Sequence, residues 1–386
     1  MRHERQIELL RRLEAANPSL DSEPWPQAEA CVRFPASTYV DPVRFEAEKQ
    51  ILFRQGPVLL GFSCQIREPG SYLVADLGGV PVIAIRQRDG SLKAFVNICR
   101  HRGATLAPCN GKVAASLTCP YHGWTFGLDG TLKVRPGAEN AFDVPKEDMP
   151  LLPIAVAEKH GLIFGRAEGT GPVDVDQALA GAESELADYN LGNYHHFETR
   201  ETEWALNWKL ILDTFLESYH IRTLHRTSIW PEYLANTAIF DAFGPHPRNI
   251  GLLRSVLGEL EKPEAERNLM PHATTQYILV PSGLITYQRN HIQHWRVSPL
   301  GVGRTRVATS IYTAEPAETD KARAYWTKNL DILLGVTGRE DFPLMEQIHA
   351  NLASGAMPEV VFGKLEPGLI HFHTAVARAI GLPEGA

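Results

Sequence analysis

Downstream of residue 45 the apolar positions fall in short alternating or continuous runs, GPVLLGFSC, SYLVADLGGVPVIAIRQ and LKAFVNIC, broken by glycine, proline and the turn RDG at 88–90. Runs of this length and period predict strands, and the segment reads as an all-β module. Past LIFGRAEGTGPVDVD the pattern changes. Residues 175–191 read as helical, Glu198 to Ala205 as a charged strand, and Asn207 to about Leu224 as one strong amphipathic helix. The proline-punctuated stretch 231–272 reads as loops. TTQYILVPSGLITYQRN, HIQHWRVSPLG and RTRVATSIYT read as an antiparallel strand set, and 316–354 as long helical material. The opening MRHERQIELLRRLEAA, with acids among its arginines, predicts an amphipathic helix rather than a signal or transit peptide. The expected division is an N-terminal helical segment over 1–44 packing on the larger domain, a β module over 45–165, and a mixed domain over 166–386.

At 386 residues and 44% hydrophobic content the chain is long enough for two domains. No run of eighteen apolar residues appears, so no membrane span is expected and the cytoplasm is the default location. A net charge of -7 without a long basic tract argues against nucleic acid or an anionic membrane as partner. Five cysteines, few and odd in number, do not describe a secreted disulfide scaffold. They leave metal chemistry open.

The stretch CRHRGATLAPCNGKVAASLTCPYHGW, residues 99–124, carries that chemistry. Cys99 and His101 are separated by one residue, Cys119 and His122 by two. Two thiolates and two imidazoles on one centre would make a tetrahedral zinc site. The narrow Cys-x-His spacing favours another arrangement, because residues two apart in an extended tip point the same way and each loop delivers one sulfur and one imidazole. A two-iron cluster suits that, with the sulfurs on one iron and the histidines on the other. Cys109 reads as a small residue of the connecting loop rather than a fifth ligand. CRHRGA followed by CPYHGW resembles the Rieske module of ring-hydroxylating oxygenase large subunits. Where respiratory Rieske proteins carry a further cysteine in each loop, forming a disulfide, this chain has Ala104 and Tyr121. Gly103 and Gly123 fit where backbone must approach sulfide, and Trp124 where the cluster needs shielding.

A cluster of this kind moves single electrons, so other residues must do chemistry. In NWKLILDTFLESYHIRTLH, Asp213, Glu217 and His220 stand at i, i+4 and i+7, on one face of the expected helix, and His225 follows at its end. Leu210, Ile211, Phe215 and Leu216 would anchor that helix, and carboxylates buried with it need compensation that a divalent iron would supply. The third ligand is sought in VTGREDFPLMEQIHANL. There Thr337 and Glu340 fit a capping box, giving Glu340 a structural job and leaving Asp341 free. NWK, LESYHIRTLH and ED about 120 residues on are similar, in order and spacing, to the catalytic domain of Rieske non-haem iron oxygenases.

That resemblance implies an α+β chain: an all-β Rieske [2Fe-2S] domain and a helix-grip catalytic domain with an antiparallel sheet and flanking helices. It implies Cys99, His101, Cys119 and His122 as cluster ligands and His220, His225 and Asp341 as ligands of a mononuclear Fe(II). Asn207, Asp213 and Glu217 are the expected catalytic residues, with Glu217 matching the acid that bridges the mononuclear site to a cluster histidine of the neighbouring subunit. Many aromatic dihydroxylases have Asp there, and Glu is found in enzymes similar to the choline and carnitine oxygenases. The family further implies a homotrimer in which one subunit's cluster serves the next subunit's iron.

No G-x-G-x-x-G follows a predicted strand, so NAD(P)H is expected to act only indirectly, through a separate reductase or ferredoxin. The chain then reads as a terminal oxygenase component that uses O2 to hydroxylate a small organic substrate, by expectation an aromatic one in a catabolic route. The alternatives are N- or O-demethylation of a methylated or quaternary amine, a Rieske electron carrier, and a structural zinc protein. Trp230, Tyr287, Trp295 and Phe372 are candidates for an aromatic wall, and Arg289 or Arg296 for a carboxylate partner.

Overall fold

The computed structural model describes residues 1–16, 27–137, 141–383 and 385, with the side chains of 235 and 236 also left out. The chain divides into two compact units, 50–178 with 191–193, and 1–49 with 179–190 and 194–386. The expected boundaries at 45 and 166 therefore each lie several residues short of those in the structure. No helix among the described residues is long and apolar enough to cross a membrane.

The larger unit begins with α1 (His3–Ala16) and β1 (Val32–Pro35), followed by α2 (Pro42–Glu48). The smaller unit holds β2 (Val58–Phe62), β3 (Ser71–Leu77), β4 (Val80–Arg86), β5 (Leu92–Val96), β6 (Gly111–Lys112), β7 (Ser116–Thr118), β8 (Thr125–Gly127), β9 (Leu132–Val134), β10 (Pro153–Lys159) and β11 (Leu162–Arg166). Seven of these form one sheet in the order β2-β11-β10-β5-β4-β3-β6, and β7-β8-β9 form a second. Strand β4 shows why the sequence there is nearly continuous in apolar residues. Val82 and Ala84 enter one apolar cluster with Val58, Leu60 and Ile163, while Ile83 and Ile85 enter another with Leu117, Trp124 and Phe126. A strand covered on both faces has no polar side to show.

In the larger unit, β12 (His195–Trp204) leads to α3 (Trp208–Asp213) and the short α4 (Ile221–Leu224), then β13 (Tyr233–Phe243), β14 (His246–Leu253), β15 (Ala273–Leu279), β16 (Gly283–Gln288), β17 (His291–Gly301) and β18 (Arg304–Thr313). They form an antiparallel sheet in the order β12-β18-β17-β16-β15-β14-β13. The helices α5 (Asp320–Val336), α6 (Phe342–Ala353) and α7 (Pro367–Ala379) follow, and β19 (Glu359–Phe362) pairs with β1. Residues Ile7, Leu10 and Leu13 of α1 pack on Ile239, Ile250 and Leu252. The stretch read as loops holds β13 and β14, whose turn carries Gly244 at φ 54 between residues paired as a hairpin.

The expected helix from Asn207 to Leu224 is broken. It stops at Asp213, and residues 214–220 form turns before α4 resumes. A tight crossing occupies the break, because a Cβ on Gly368 of α7 would lie 2.5 Å from the Leu216 carbonyl oxygen. The first piece is fixed by a buried ionic anchor. Glu48 accepts hydrogen bonds from Lys209 Nζ at 2.6 Å, Trp208 Nε1 at 2.9 Å and Arg44 Nε at 2.9 Å. Glu48 is fully buried and Lys209 and Arg44 nearly so. Burial disfavours the ionised Glu48, yet Lys209 and Arg44 together hold its pKa below the usual carboxylate value. Removing one member of such a network strands the others. Glu48→Ala should destabilise the larger unit by about 3–5 kcal/mol, read as a lower urea midpoint for its unfolding, whereas a shift under about 1 kcal/mol would mark the network as dispensable.

Candidate metal centres and substrate cavity

The two Cys-His loops are built alike. In the first, Cys99 N donates to Ala104 O at 2.8 Å and Gly103 N to Cys99 O at 3.1 Å; in the second, Cys119 N donates to Trp124 O at 2.8 Å and Gly123 N to Cys119 O at 3.1 Å. Each turn closes through a glycine of positive φ, 80° at Gly103 and 71° at Gly123, which a side chain would resist. Asn97, buried at the entrance to the first loop, binds Ala107 through both ends of its amide.

The result is a paired presentation. Cys99 and Cys119 are both buried, while His101 Nδ1 and His122 Nδ1 face each other at 3.1 Å. Burial, then the charges of His122 and Arg102, lower the His101 pKa and favour the neutral ring that can ligate. Among the described residues, the only set of three or more His, Cys, Asp or Glu whose donor atoms all lie within 4.8 Å of one another is His220, His225 and Asp341. The Cys-His quartet therefore does not converge on a single tetrahedral ion, and two sulfurs beside two nitrogens fit a two-iron cluster. Trp124 stacks on His101 at 4.9 Å and 9°, as a shield should. Tyr121 reaches the other loop, accepting from Arg102 Nη1 at 3.0 Å, so the two loops are clasped without a covalent bond.

In the larger unit the break after α3 aims the second set. Glu217 accepts from the backbone N–H groups of Tyr219 and His220, capping the turn that carries His220, and also binds His220 Nδ1. On the other side Glu340 Oε2 takes His225 Nδ1 at 2.7 Å and Ser228 Oγ at 2.8 Å. Each histidine is thus held through Nδ1, and the Nε2 atoms turn to Asp341 Oδ1, at 3.5 Å from His220 and 3.1 Å from His225. Thr214 Oγ1 donates to that same oxygen at 3.1 Å. Burial disfavours protonation of both rings, but Glu217 and Asp341 around His220, and Asp341 and Glu340 around His225, outweigh it and leave each pKa above the usual histidine value. Two imidazoles and one carboxylate in a field that favours positive charge fit a divalent iron with open positions.

Three expectations need correction. Glu340 does not belong to a capping box: Thr337–Asp341 form a π-helical turn, Thr337 Oγ1 bonds back to Leu333 O, and Glu340 faces His225. Asp213 does not share the face of Glu217 and His220, because the helix has ended. Its carboxylate is buried between Tyr39 Oη at 2.6 Å and His373 Nε2 at 2.9 Å, outside the cavity. Asn207 caps α3, accepting from Lys209 N at 3.2 Å and donating to Val302 O at 3.0 Å.

The ligand set opens into a cavity of about 170 Å³. One water takes roughly 10–15 Å³ of such space, which leaves room for an organic molecule on the order of ten heavy atoms. Its walls are the segment 214–229, the inner face of β14 to β17, and Asn329, Ile332, Leu333 and Val336 of α5. None of the four proposed wall aromatics lines it. Trp295 packs on Phe215 and Phe342, Phe372 on Trp208, Tyr287 on Tyr189, and Trp230 under Arg254. Arg289 pairs with Glu232, and Arg296 lies 4.0 Å from Glu201. The sequence signal for the polar lining was the alternation of Thr274 with Gln276, Thr286 with Gln288, and His291 with Gln293, which puts polar groups where a half-buried sheet should be apolar.

Residues 56–152 match the family described as Rieske [2Fe-2S] domain, and 191–382 match the ring hydroxylating alpha subunit (catalytic domain). A chloroplastic choline monooxygenase of Amaranthus tricolor is 29% identical over 345 residues, covering 88% of this chain and 76% of its own. The oxygenase subunit of glycine betaine monooxygenase from Pseudomonas aeruginosa is 35% identical over 192 residues, 50% of this chain and 44% of its own. Among solved structures, a quaternary ammonium Rieske monooxygenase studied for carnitine oxidation and inter-subunit electron transfer superposes with a TM-score of 0.77 at 22% identity, covering 90% of this chain and 95% of its own. Naphthalene 1,2-dioxygenase with bound indole gives 0.71 at 21% identity, over 90% and 92%. At these identities the two structures share the fold.

Asp341→Ala should empty the mononuclear site while the visible spectrum of the cluster is unchanged. Glu340→Ala should weaken iron retention roughly 10–100-fold, because His225 loses the partner that orients it, and Glu340→Gln should restore part of that loss. Iron per chain after graded chelator challenge, read beside the cluster absorbance, tests both. Full retention in Glu340→Ala would remove its orienting role.

Proposed function

This chain belongs to the Rieske non-haem iron oxygenases as a terminal oxygenase subunit, and from that premise we propose that it monooxygenates a small methylated or quaternary amine at an N-methyl carbon. The observation that carries the reading is the charge of the cavity: no lysine or arginine is among the described residues lining it, whereas Glu217 and Asp341 are. Away from the iron a buried carboxylate would meet no lysine or arginine among the described lining residues, which speaks against an aromatic acid. A substrate ammonium meets the rings of Phe215 and Tyr233 and no lysine or arginine among the described lining residues. Relatives described as acting on choline, carnitine and glycine betaine support the same direction over the aromatic substrate that the sequence led us to expect.

The reaction balances as O2, two electrons and two protons with one C–H bond, giving one hydroxylated methyl and one water. The carbinolamine then releases formaldehyde and leaves the amine with one methyl fewer. The cluster, when bound, passes single electrons, and the mononuclear iron supplies the dioxygen chemistry. The chain's own work is positional. Glu217 and Glu340 hold the Nδ1 side of the two histidines, Thr214 orients Asp341, and Ile332, Leu333 and Val336 give the cavity an apolar side. We further propose a homotrimer supplied by a separate reductase or ferredoxin, with Glu217 as the link to the neighbouring subunit's cluster. A cytoplasmic setting fits five cysteines that form no disulfide.

With a surrogate reductase, methylated amines should stimulate oxygen uptake with stoichiometric formaldehyde, and aromatic acids should not; the opposite pattern would reject the amine reading. Glu217→Gln should keep iron and cluster, yet in a single turnover with prereduced protein its cluster should stay reduced in the presence of substrate and oxygen. Normal cluster oxidation and product yield would confine Glu217 to its cap and its hydrogen bond to His220.

A further inference from the structure

The sheet side of the cavity is a two-row polar floor. Antiparallel register sets Asn249 of β14 opposite Gln276 of β15, Gln276 opposite Thr286 of β16, and Thr286 opposite Gln293 of β17. The adjacent row runs from Thr274 to Gln288 to His291 on the same three strands. All seven line the cavity, and none carries a fixed charge. Cross-strand neighbours on one face lie side by side, so the floor is continuous across four strands.

Its hydrogen-bonding capacity is only partly used within the chain. Gln293 spends its Nε2 on Gln288 Oε1 and His291 Nε2, both at 3.0 Å, which fixes its Oε1 as the free end and Gln288 Nε2 as a free donor. His291 is held by Asn290 at 3.2 Å on its other nitrogen, and burial pushes its pKa down to about 4, so the ring stays neutral. Among the described residues Gln276 has no side-chain partner, and Asn249 makes a 3.4 Å bond from Nδ2 to Phe215 O. Thr286, 2% exposed, has a buried hydroxyl with no partner among the described residues. A buried hydroxyl left unpaired is costly, and that of Thr286 stands among amides with spare hydrogen-bonding capacity in a space large enough for an organic group.

Resting on the amine reading above, we propose that this floor is the specificity site for the end of the substrate remote from the iron, and that it selects an uncharged group able both to donate and to accept, a hydroxyl or a carboxamide, over a carboxylate. Free carbonyl oxygens at Gln293 and Asn249 need a donor, which a carboxylate does not have. The free NH2 of Gln288 needs an acceptor, and the Thr286 hydroxyl serves in either direction. A carboxylate would also be buried with no cation opposite it.

Three probes share one ammonium end and differ at the other: choline with a hydroxyl, glycine betaine with a carboxylate, and tetramethylammonium with neither. Product formation by the holoenzyme, followed by mass spectrometry with a surrogate reductase, should give kcat/KM for choline roughly 10–100-fold above glycine betaine. In Thr286→Val and Gln293→Leu, each checked for unchanged iron content and cluster spectrum, the ratio of choline to tetramethylammonium should fall about tenfold, mainly through KM. Equal or better turnover of glycine betaine would overturn the inference while leaving the amine reading in place. A ratio unmoved in both variants would overturn it as well. Turnover of none of the three, with other substrates hydroxylated, would overturn both.

Discussion

An imidazole can ligate through one nitrogen only if something decides where the other points, and the larger unit is organised around that constraint. Glu217 decides it for His220 and Glu340 for His225, so that both Nε2 atoms meet Asp341. A continuous helix from Asn207 would have carried Glu217 and His220 on a rigid cylinder and left no turn for the Glu217 carboxylate to cap. A regular helix at 337–341 would have turned consecutive residues away from each other. The π-helical turn there widens the spiral, and Glu340 and Asp341 both face His225, one at Nδ1 and the other at Nε2.

These departures from regular structure are local weaknesses, and the surrounding packing compensates for them. The anchor of Lys209, Trp208 and Arg44 on Glu48 fixes the end of α3 just before the chain leaves helical geometry. Asp213, the last helical residue, is tied to Tyr39 and His373 from two other elements. Buried carboxylates bracket the break on its helical side, which restricts the turns that follow to one geometry. The smaller unit solves its own version of the problem with two glycine-closed turns of nearly the same pattern.

Much of this was legible from residue types and spacing. The two Cys-His loops carry their cysteines, histidines, glycines and tryptophan within 26 residues, and local motifs of that density need no tertiary information. The histidine and aspartate triad was legible as well, because its members sit in short recognisable segments. The helix break was not, since it depends on a glycine of α7 some 150 residues away packing against Leu216. Glu340 was misread for a related reason: a capping box and a ligand-orienting acid have the same sequence, and only the position of His225 distinguishes them. Strands β13 and β14 were hidden by the prolines around them and by polar residues such as Asp241 and Arg248, which pair with each other and, through Arg248, with Glu185. Asp213 and Asn207 were credited with chemistry because motif membership does not separate a residue that touches substrate from one that holds the scaffold.

The polar floor has one further consequence, for how such a pocket diverges. Along β15 to β17 each floor residue alternates with a neighbour pointing to the opposite face, where Thr275, Tyr277, Ile285, Ile292 and His294 are buried. The ligands come from loops and helix turns elsewhere in the chain, so the residues that would choose the substrate share no backbone turn with those that would hold the iron. Mutational drift at Gln276, Thr286 or Gln293 can therefore alter the preferred substrate without repacking the opposite face or disturbing the metal. A lineage built on this sheet can change its diet by single substitutions while keeping its reaction.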